Sequence, residues 1–427
     1  EEDAKDIIRN VAGFGWDYEK LIRQDKLRFV DAVSPEDITM EIGQSYDFMP
    51  LILRVEHAMK SVRAKRLVLD NLNAFFMRFS NKNEIRAVLN FLLNELKKRG
   101  ATVLISVEKD GPETARAFIS AEFVSDAIVM LSARPGQQRT LRELEIRKIR
   151  GAGYRSGQVE FEITRDGLQV FPKIPVNLTA AATDFTVLKK IGVPAFDDGI
   201  LAGGIPQGQT VVISGNTGTG KTIIGLQFIQ AGLREGEHGL YVGLEENTDE
   251  LKYVARGLGW DMARDEKQGK MAFLTASLID LQKDRLLWSI IRAVERYDVK
   301  RLVFDSISSL MSAANMSISQ ARDFVIQLGG YLKMKGITSI FTYMMPQNFG
   351  APPGLLLSSV ELTHIRVSSL VDGLVLLVFV ERERKVEMAL TVLKMRGVHH
   401  SKDVFAYKID KGGLKIEGVY GKLGKGR

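Results

Sequence analysis

The 427-residue sequence contains no cysteine. That excludes disulfide scaffolds and thiolate metal centres, and it fits a reducing cytoplasm. There is no long apolar run either. The longest, near Leu374–Val380, is bounded by Asp372 and by Glu381–Lys385 and is too short to span a bilayer. No membrane partner is expected from runs of this length, and no secretory signal is visible in a sequence that need not begin at the natural N-terminus. A long basic block is also missing, although the net charge is +7. The excess is either scattered, solvated Lys and Arg or a field for anionic partners: nucleotide phosphates first, nucleic acid second. The Gly-rich end, residues 412–427, carries Lys415, Lys422, Lys425 and Arg427 and reads as a mobile tail or a contact segment. What remains is ordinary globular material, 45% hydrophobic and 26% charged, of a length that calls for two domains.

The chain repeats itself. "EEDAKDIIRNVAGFGWD" at residues 1–17 answers "EENTDELKYVARGLGWD" at 245–261. "RLVLD" (66–70) answers "RLVFD" (301–305), and "KIRG" (148–151) answers "KMRG" (394–397). Ordered matches at so long a period mean tandem domains rather than a solenoid. Glu1, Glu2, Asp70, Lys148 and Arg150 are then the first-copy equivalents of Glu245, Glu246, Asp305, Lys394 and Arg396. The expected organisation is a first domain over 1–180 and a second over 181–427. They are joined by a segment at 171–196 that contains Pro172, Pro175 and Pro194. The second copy has a phosphate loop upstream of its Glu pair. Its counterpart would fall before residue 1, so the first domain is expected to lack its front, as in a fragment of a longer protein.

Apolar runs "TVVIS" (210–214), "LYVGL" (240–244), "RLVFD" (301–305), "TSIFTY" (338–343) and "GLVLLVFV" (373–380) alternate with helical patterns at 221–232, 249–257, 282–297 and 319–335. Continuous rather than alternating apolar strands imply a parallel sheet covered on both faces. The fold class is α/β. The strand-rich stretch from Leu374 to Ile416 predicts antiparallel strands added at one edge.

"GNTGTGKT", residues 215–222, follows one of those strands and opens a helix, the context that a phosphate loop (Walker A) requires. Backbone amides along Gly215, Asn216, Thr217, Gly218, Thr219 and Gly220 can converge on phosphate oxygens, helped by the helix N-terminus. Lys221 would reach the β- and γ-phosphates of ATP, and Thr222 would bind Mg²⁺. Asp305, at the end of its strand in the Walker B position, would complete the Mg²⁺ shell. Glu245 and Glu246 either activate a nucleophile or serve as helix N-terminal acids. Lys394 and Arg396 sit two apart on a strand with no carboxylate cluster nearby in sequence. They either form a solvated face or reach the γ-phosphate held by a neighbouring subunit, as an arginine finger does.

These stretches together resemble the KaiC family of RecA-fold ATPases. The resemblance is carried by residues 203–222, by "LEEN" (244–247), "RLVFDS" (301–306), "EFVSD" (122–126), the doubled "GWD" and the "KIRG"/"KMRG" pair. It implies two tandem RecA-like P-loop domains and a homohexameric ring with ATP and Mg²⁺ between subunits. It implies nucleotide contacts by 215–222 and catalytic roles for Glu245 and Glu246. Lys394, Met395 and Arg396 would form a segment that crosses the interface, with His400 and Lys402 adding contacts. It also implies serine/threonine autokinase activity, whose acceptors would be Ser368 and Ser369, and signalling-protein partners. The second acceptor departs from the Ser-Thr pattern of clock members. Leu258 and Tyr154 stand where those members carry an aromatic and a His, and the tail differs from theirs. A member outside the cyanobacterial clock is therefore expected. The competing class is a nucleic-acid-dependent motor of the recombinase or helicase kind on the same core. The segment 343–360 contains no Lys or Arg, which argues against a strand-gripping loop there.

Overall fold

The computed structural model describes residues 2–31, 49–71, 82–108, 119, 121–135, 140–174, 184–276, 281–313, 316–345, 370–382 and 385–420. Two compact units, Glu1–Pro172 and Lys173–Arg427, make up the chain.

In the first unit, β1 (Arg66–Leu69) pairs in parallel with β2 (Thr102–Ile105). The helices Met49–Ser61 and Lys82–Lys98 contribute Ile52, Val55, Met59, Leu92 and Leu96 to a small core. A separate antiparallel meander is formed by β3 (Ala127–Pro135), β4 (Thr140–Ile149), β5 (Gln158–Thr164) and β6 (Gly167–Phe171).

The second unit opens with β7 (Leu188–Lys189), which pairs with β8 (Ile205–Pro206). Its body is a nine-stranded sheet. The strands are β9 (Thr210–Gly215), β10 (Gly239–Gly243), β11 (Met271–Thr275), β12 (Arg301–Asp305), β13 (Thr338–Met344), β14 (Gly373–Arg382), β15 (Lys385–Met395), β16 (Phe405–Asp410) and β17 (Gly413–Val419). Their order is β11-β10-β12-β13-β9-β14-β15-β16-β17. The five predicted strands are all present, and the edge strand β11 joins them. As expected, antiparallel strands are added at one edge: β14 runs parallel to β9 and turns back into β15, with which it pairs antiparallel. Two apolar clusters cover the two faces of the sheet. One is built on helices Lys283–Arg296 and Ile318–Met334, the other on helix Lys221–Arg234 and on Trp260, Tyr407 and Leu414.

The repeat seen in the sequence has a structural meaning. In each "GWD" the Gly ends one helix and the Asp begins the next. Gly15 and Gly259 adopt φ of 77° and 86°, a conformation that suits Gly just past a helix end. Asp17 accepts the Lys20 amide at 2.8 Å and Asp261 that of Arg264 at 3.2 Å, so both are N-caps. Capping boxes at Asn247/Glu250 and Ser317/Gln320 start two further helices. The strands also correspond: β1 and β2 match β12 and β13, and β3–β6 match β14–β17. In the second unit β9 lies between β13 and β14 and joins the two halves into one sheet. Among the described residues of the first unit no strand does so. Burial differs too: Val68 of β1 is 61% exposed, whereas its counterpart Val303, which packs against Gly225 of helix Lys221–Arg234, is fully buried.

Candidate functional site

The carboxyl ends of β9, β10, β12 and β13 converge on one edge of the parallel sheet, the usual place for a ligand in such folds. Thr210–Gly215 is buried along its whole length and delivers the chain into the loop 215–220. Gly218 and Gly220 both hold φ at 86°, where a Cβ is disfavoured. At Gly220 a Cβ would also overlap Ile409 of β16. Tyr407, also on β16, donates its hydroxyl to the carbonyl of Thr219 at 2.7 Å. The antiparallel extension therefore packs directly on the loop and fixes its shape.

Lys221, the first residue of its helix, donates to the carbonyls of Gly215 at 3.0 Å and Asn216 at 2.9 Å. Burial lowers the pKa of its ammonium, while Asp305 and Glu245 push it back up. Thr222 donates to Asp305 Oδ2 at 2.8 Å. Tyr241 donates to the same oxygen at 2.6 Å, and Thr342 to Oδ1. Burial and the Asp305 charge raise the Tyr241 phenol far above its usual range, so it remains a donor. This donor set suits a hard cation: hydroxyl and carboxylate oxygens are adjacent, and Mg²⁺ commonly takes only one or two carboxylates beside phosphate. Among the described residues no group of three or more His, Asp or Glu gathers for an all-protein metal site. The glycine cradle, the helix N-terminus and Lys221 suit a polyphosphate in the same way.

The Glu pair follows β10, and its two members differ. Glu245 Oε1 accepts from Ser306 at 3.1 Å and from Ser309. Glu246 is half-buried, and its Oε2 is buried without a hydrogen-bond partner among the described residues. Burial raises its pKa, and the charges of Asp305, Glu245 and Glu250 add to the rise.

The "KMRG" residues lie elsewhere in the protomer. Met395 pairs with Gly373, and Gly373 with Val211, four residues before Gly215. At ~3.3 Å per strand residue, that is about 13 Å along the sheet from the phosphate loop. Met395 is buried in the core and packs close to Gly373. Lys394 donates to the carbonyl of Val371 at 2.7 Å. Burial lowers its pKa, then Arg396 does, against Asp372. Arg396 lies just beyond the strand and meets Asp372 at 3.5 Å, and Lys333 reaches the same carboxylate oxygen at 3.2 Å. The first unit repeats the arrangement: Arg150 meets Asp126 at 3.5 Å and Lys97 meets it at 2.5 Å. His400 is partly buried and Lys402 exposed, in the turn between β15 and β16.

Asp70 repeats its counterpart too: it accepts from Ser106 at the end of β2, as Asp305 does from Thr342 at the end of β13. Glu2 is exposed, and Lys148 donates to the carbonyl of Glu122 at 2.7 Å. Leu258 packs on the second-unit core, and Tyr154 donates to the Arg147 carbonyl at 2.6 Å. Ser368, Ser369 and Glu1 lie outside the described residues.

Sequence reasoning thus identified the loop, Thr222 and Asp305, which the fold brings together. It missed Tyr241, Thr342, Ser306, Ser309, Tyr407 and the anion beside Arg396. The last had a signal: Asp126 and Asp372 each stand 24 residues before the repeated Arg.

Comparison with known proteins agrees with this architecture. The family model described as "ATPase: KaiC" matches residues 1–174 and 189–419. The chain is 30% identical to the circadian clock oscillator protein KaiC of Picosynechococcus sp. over 98% of its own length and 78% of that protein's. It is 32% identical to the KaiC of Parathermosynechococcus lividus, with 97% and 74% covered. It is 30% identical to the circadian clock protein KaiC3 of Synechocystis sp., with 97% and 80% covered. With a family match across both units and relatives of this extent, the chain belongs to the KaiC family of ATPases.

Proposed function

We propose that the second unit binds ATP with Mg²⁺ at residues 215–222 and Asp305 and hydrolyses it at the contacts between subunits of a homohexameric ring. The observation that carries this reading is the hydrogen-bonded meeting of Thr222 with Asp305 beside a left-handed glycine loop capped by Lys221. Mg²⁺ would neutralise developing charge on the phosphates. In this reading the loop amides orient the polyphosphate, Lys221 balances its charge, and the acids after β10, Glu245 and Glu246, serve to take a nucleophile's proton.

Lys394 and Arg396 lie at the opposite end of the sheet from their own loop. If they act on phosphate they do so on a neighbour's, which a closed head-to-tail ring provides. Met395 then serves as the buried pin of that segment, and His400 and Lys402 extend it. The test is subunit complementation. Lys221→Ala and Arg396→Ala proteins should each be inactive in ATP hydrolysis, with Arg396→Ala still binding ATP. Mixed together and reassembled, they should regain part of the wild-type rate. No recovery on mixing, with mixed rings verified, refutes a shared site.

Phosphate transfer to the chain's own hydroxyls, Ser368 or Ser369, is the finer form of the same reading. It rests on the family membership, as do signalling-protein partners. A cytoplasmic setting agrees with the lack of cysteine, and among the described residues no helix is long and apolar enough to cross a membrane.

A further inference from the structure

The two acids after β10 are neighbours in sequence and unlike in surroundings. Glu245 offers one oxygen, Oε1, to two hydroxyls, those of Ser306 and Ser309. The two serines also touch each other, with 2.6 Å between their oxygens. Both are buried, at 2% and 7% exposure, and both ride on the start of helix Ile307–Ala313, directly after Asp305. Their positions are therefore set by backbone that is itself fixed by β12. Glu245 as a residue stays exposed, whereas Glu246 is half-buried with one oxygen that no described group orients. A base works best when a third group holds it, because only then does its free lone pair point the same way in every turnover.

We propose that Ser309, supported by Ser306, is a positioning residue that clamps Glu245 Oε1 and so makes Glu245, rather than Glu246, the base of the reaction. The inference rests on the hydrolytic reading given above. In the step concerned, the oxygen of a water molecule bonds to the γ-phosphorus as the bond to the β–γ bridging oxygen breaks. That electron pair leaves with ADP, and the water's proton passes to Glu245 Oε2. The proton inventory of the clamp closes. Ser309 gives its proton to Glu245. Ser306 gives its own to Glu245 or to Ser309, while accepting the Ser309 amide at 3.1 Å. Ser306 thus also caps its helix, which makes Ser309 the cleaner probe. The clamp is particular to the second copy: the residue four after Asp70 is Ala74, where the residue four after Asp305 is Ser309.

The experiment measures ATP turnover and the binding of a fluorescent ATP analogue for the full chain and for Ser309→Ala, Ser309→Cys and Ser309→Thr. Removing the hydroxyl should lower kcat about tenfold, a part of the roughly 10²–10⁴-fold that a positioned base contributes, because the base itself remains. KM and analogue affinity should stay within about twofold, an effect confined to the chemical step. Ser309→Cys keeps the volume but supplies only a weak donor, so it should resemble Ser309→Ala. Ser309→Thr keeps the hydroxyl and should recover most of the rate. Unchanged turnover in Ser309→Ala overturns the clamp. So does a parallel loss of binding and rate, or wild-type turnover in Ser309→Cys. If the unaltered chain turns over no ATP while binding the analogue, the hydrolytic reading itself falls and the clamp with it.

Discussion

Replacing Tyr407 with Phe would remove one oxygen atom from the protein and nothing else. That oxygen links the antiparallel strands to the backbone of the phosphate loop, donating to the Thr219 carbonyl at 2.7 Å. Tyr407 is 2% exposed and Thr219 fully buried, so water cannot readily take the donor's place. Burial holds the phenol's pKa well above its usual range, and it stays protonated at any ordinary pH. The variant's effect should therefore not depend on pH. A buried carbonyl left without its donor costs about 1–3 kcal/mol. Urea denaturation of the second unit, followed by fluorescence, should show a loss of that size. Part of the loss should reappear in ligand binding, because a loop no longer held in shape must be ordered by the nucleotide. With a factor of ten for each ~1.4 kcal/mol, affinity for a fluorescent ATP analogue should fall by up to about tenfold. A variant matching wild type in both stability and affinity would refute the claim that the sheet extension shapes the loop.

Two further expectations come from the acids and the hydroxyls. Glu246 has its pKa raised by burial, then by Asp305, Glu245 and Glu250, so the folded state holds its proton more tightly than the unfolded chain does. Stability from such a group is present at low pH and lost as pH rises through the folded-state value. Glu246→Gln should therefore raise the thermal midpoint of the nucleotide-free protein near roughly pH 8, and the gain should shrink toward about pH 4. A variant less stable than wild type at the higher pH would contradict the burial argument. If phosphate is transferred to the chain, label from γ-labelled ATP should remain on the protein and vanish in a Ser368→Ala/Ser369→Ala double variant. Retention of label in that variant would move the acceptor elsewhere.

Several features could be read from the sequence because they are local. A phosphate loop is a contiguous run whose glycines, Lys and Thr act through the backbone of the same turn, so its spacing alone carries its geometry. The buried strands were legible because a parallel sheet demands continuous apolar runs. The doubled "GWD" was visible as a repeat, and its role as a helix stop and start follows from short-range hydrogen bonds. The strand Met271–Thr275 escaped notice because five residues at a sheet edge carry too little pattern.

What the sequence by itself determined is the chain's family, its α/β class, its internal repetition and the cradle at 215–222. Only the tertiary structure decided which groups surround that cradle. Tyr241, Thr342 and Tyr407 come from three different strands, and Ser306 and Ser309 from the start of a helix, separated by up to 188 residues from the groups they touch. It also decided that Arg396 has an intramolecular partner in Asp372, because the β14–β15 hairpin brings together residues 24 apart. The physical reason is the same in each case. Backbone conformation is fixed by neighbours along the chain, whereas a side chain's charge and orientation are fixed by whatever the folded sheet sets beside it.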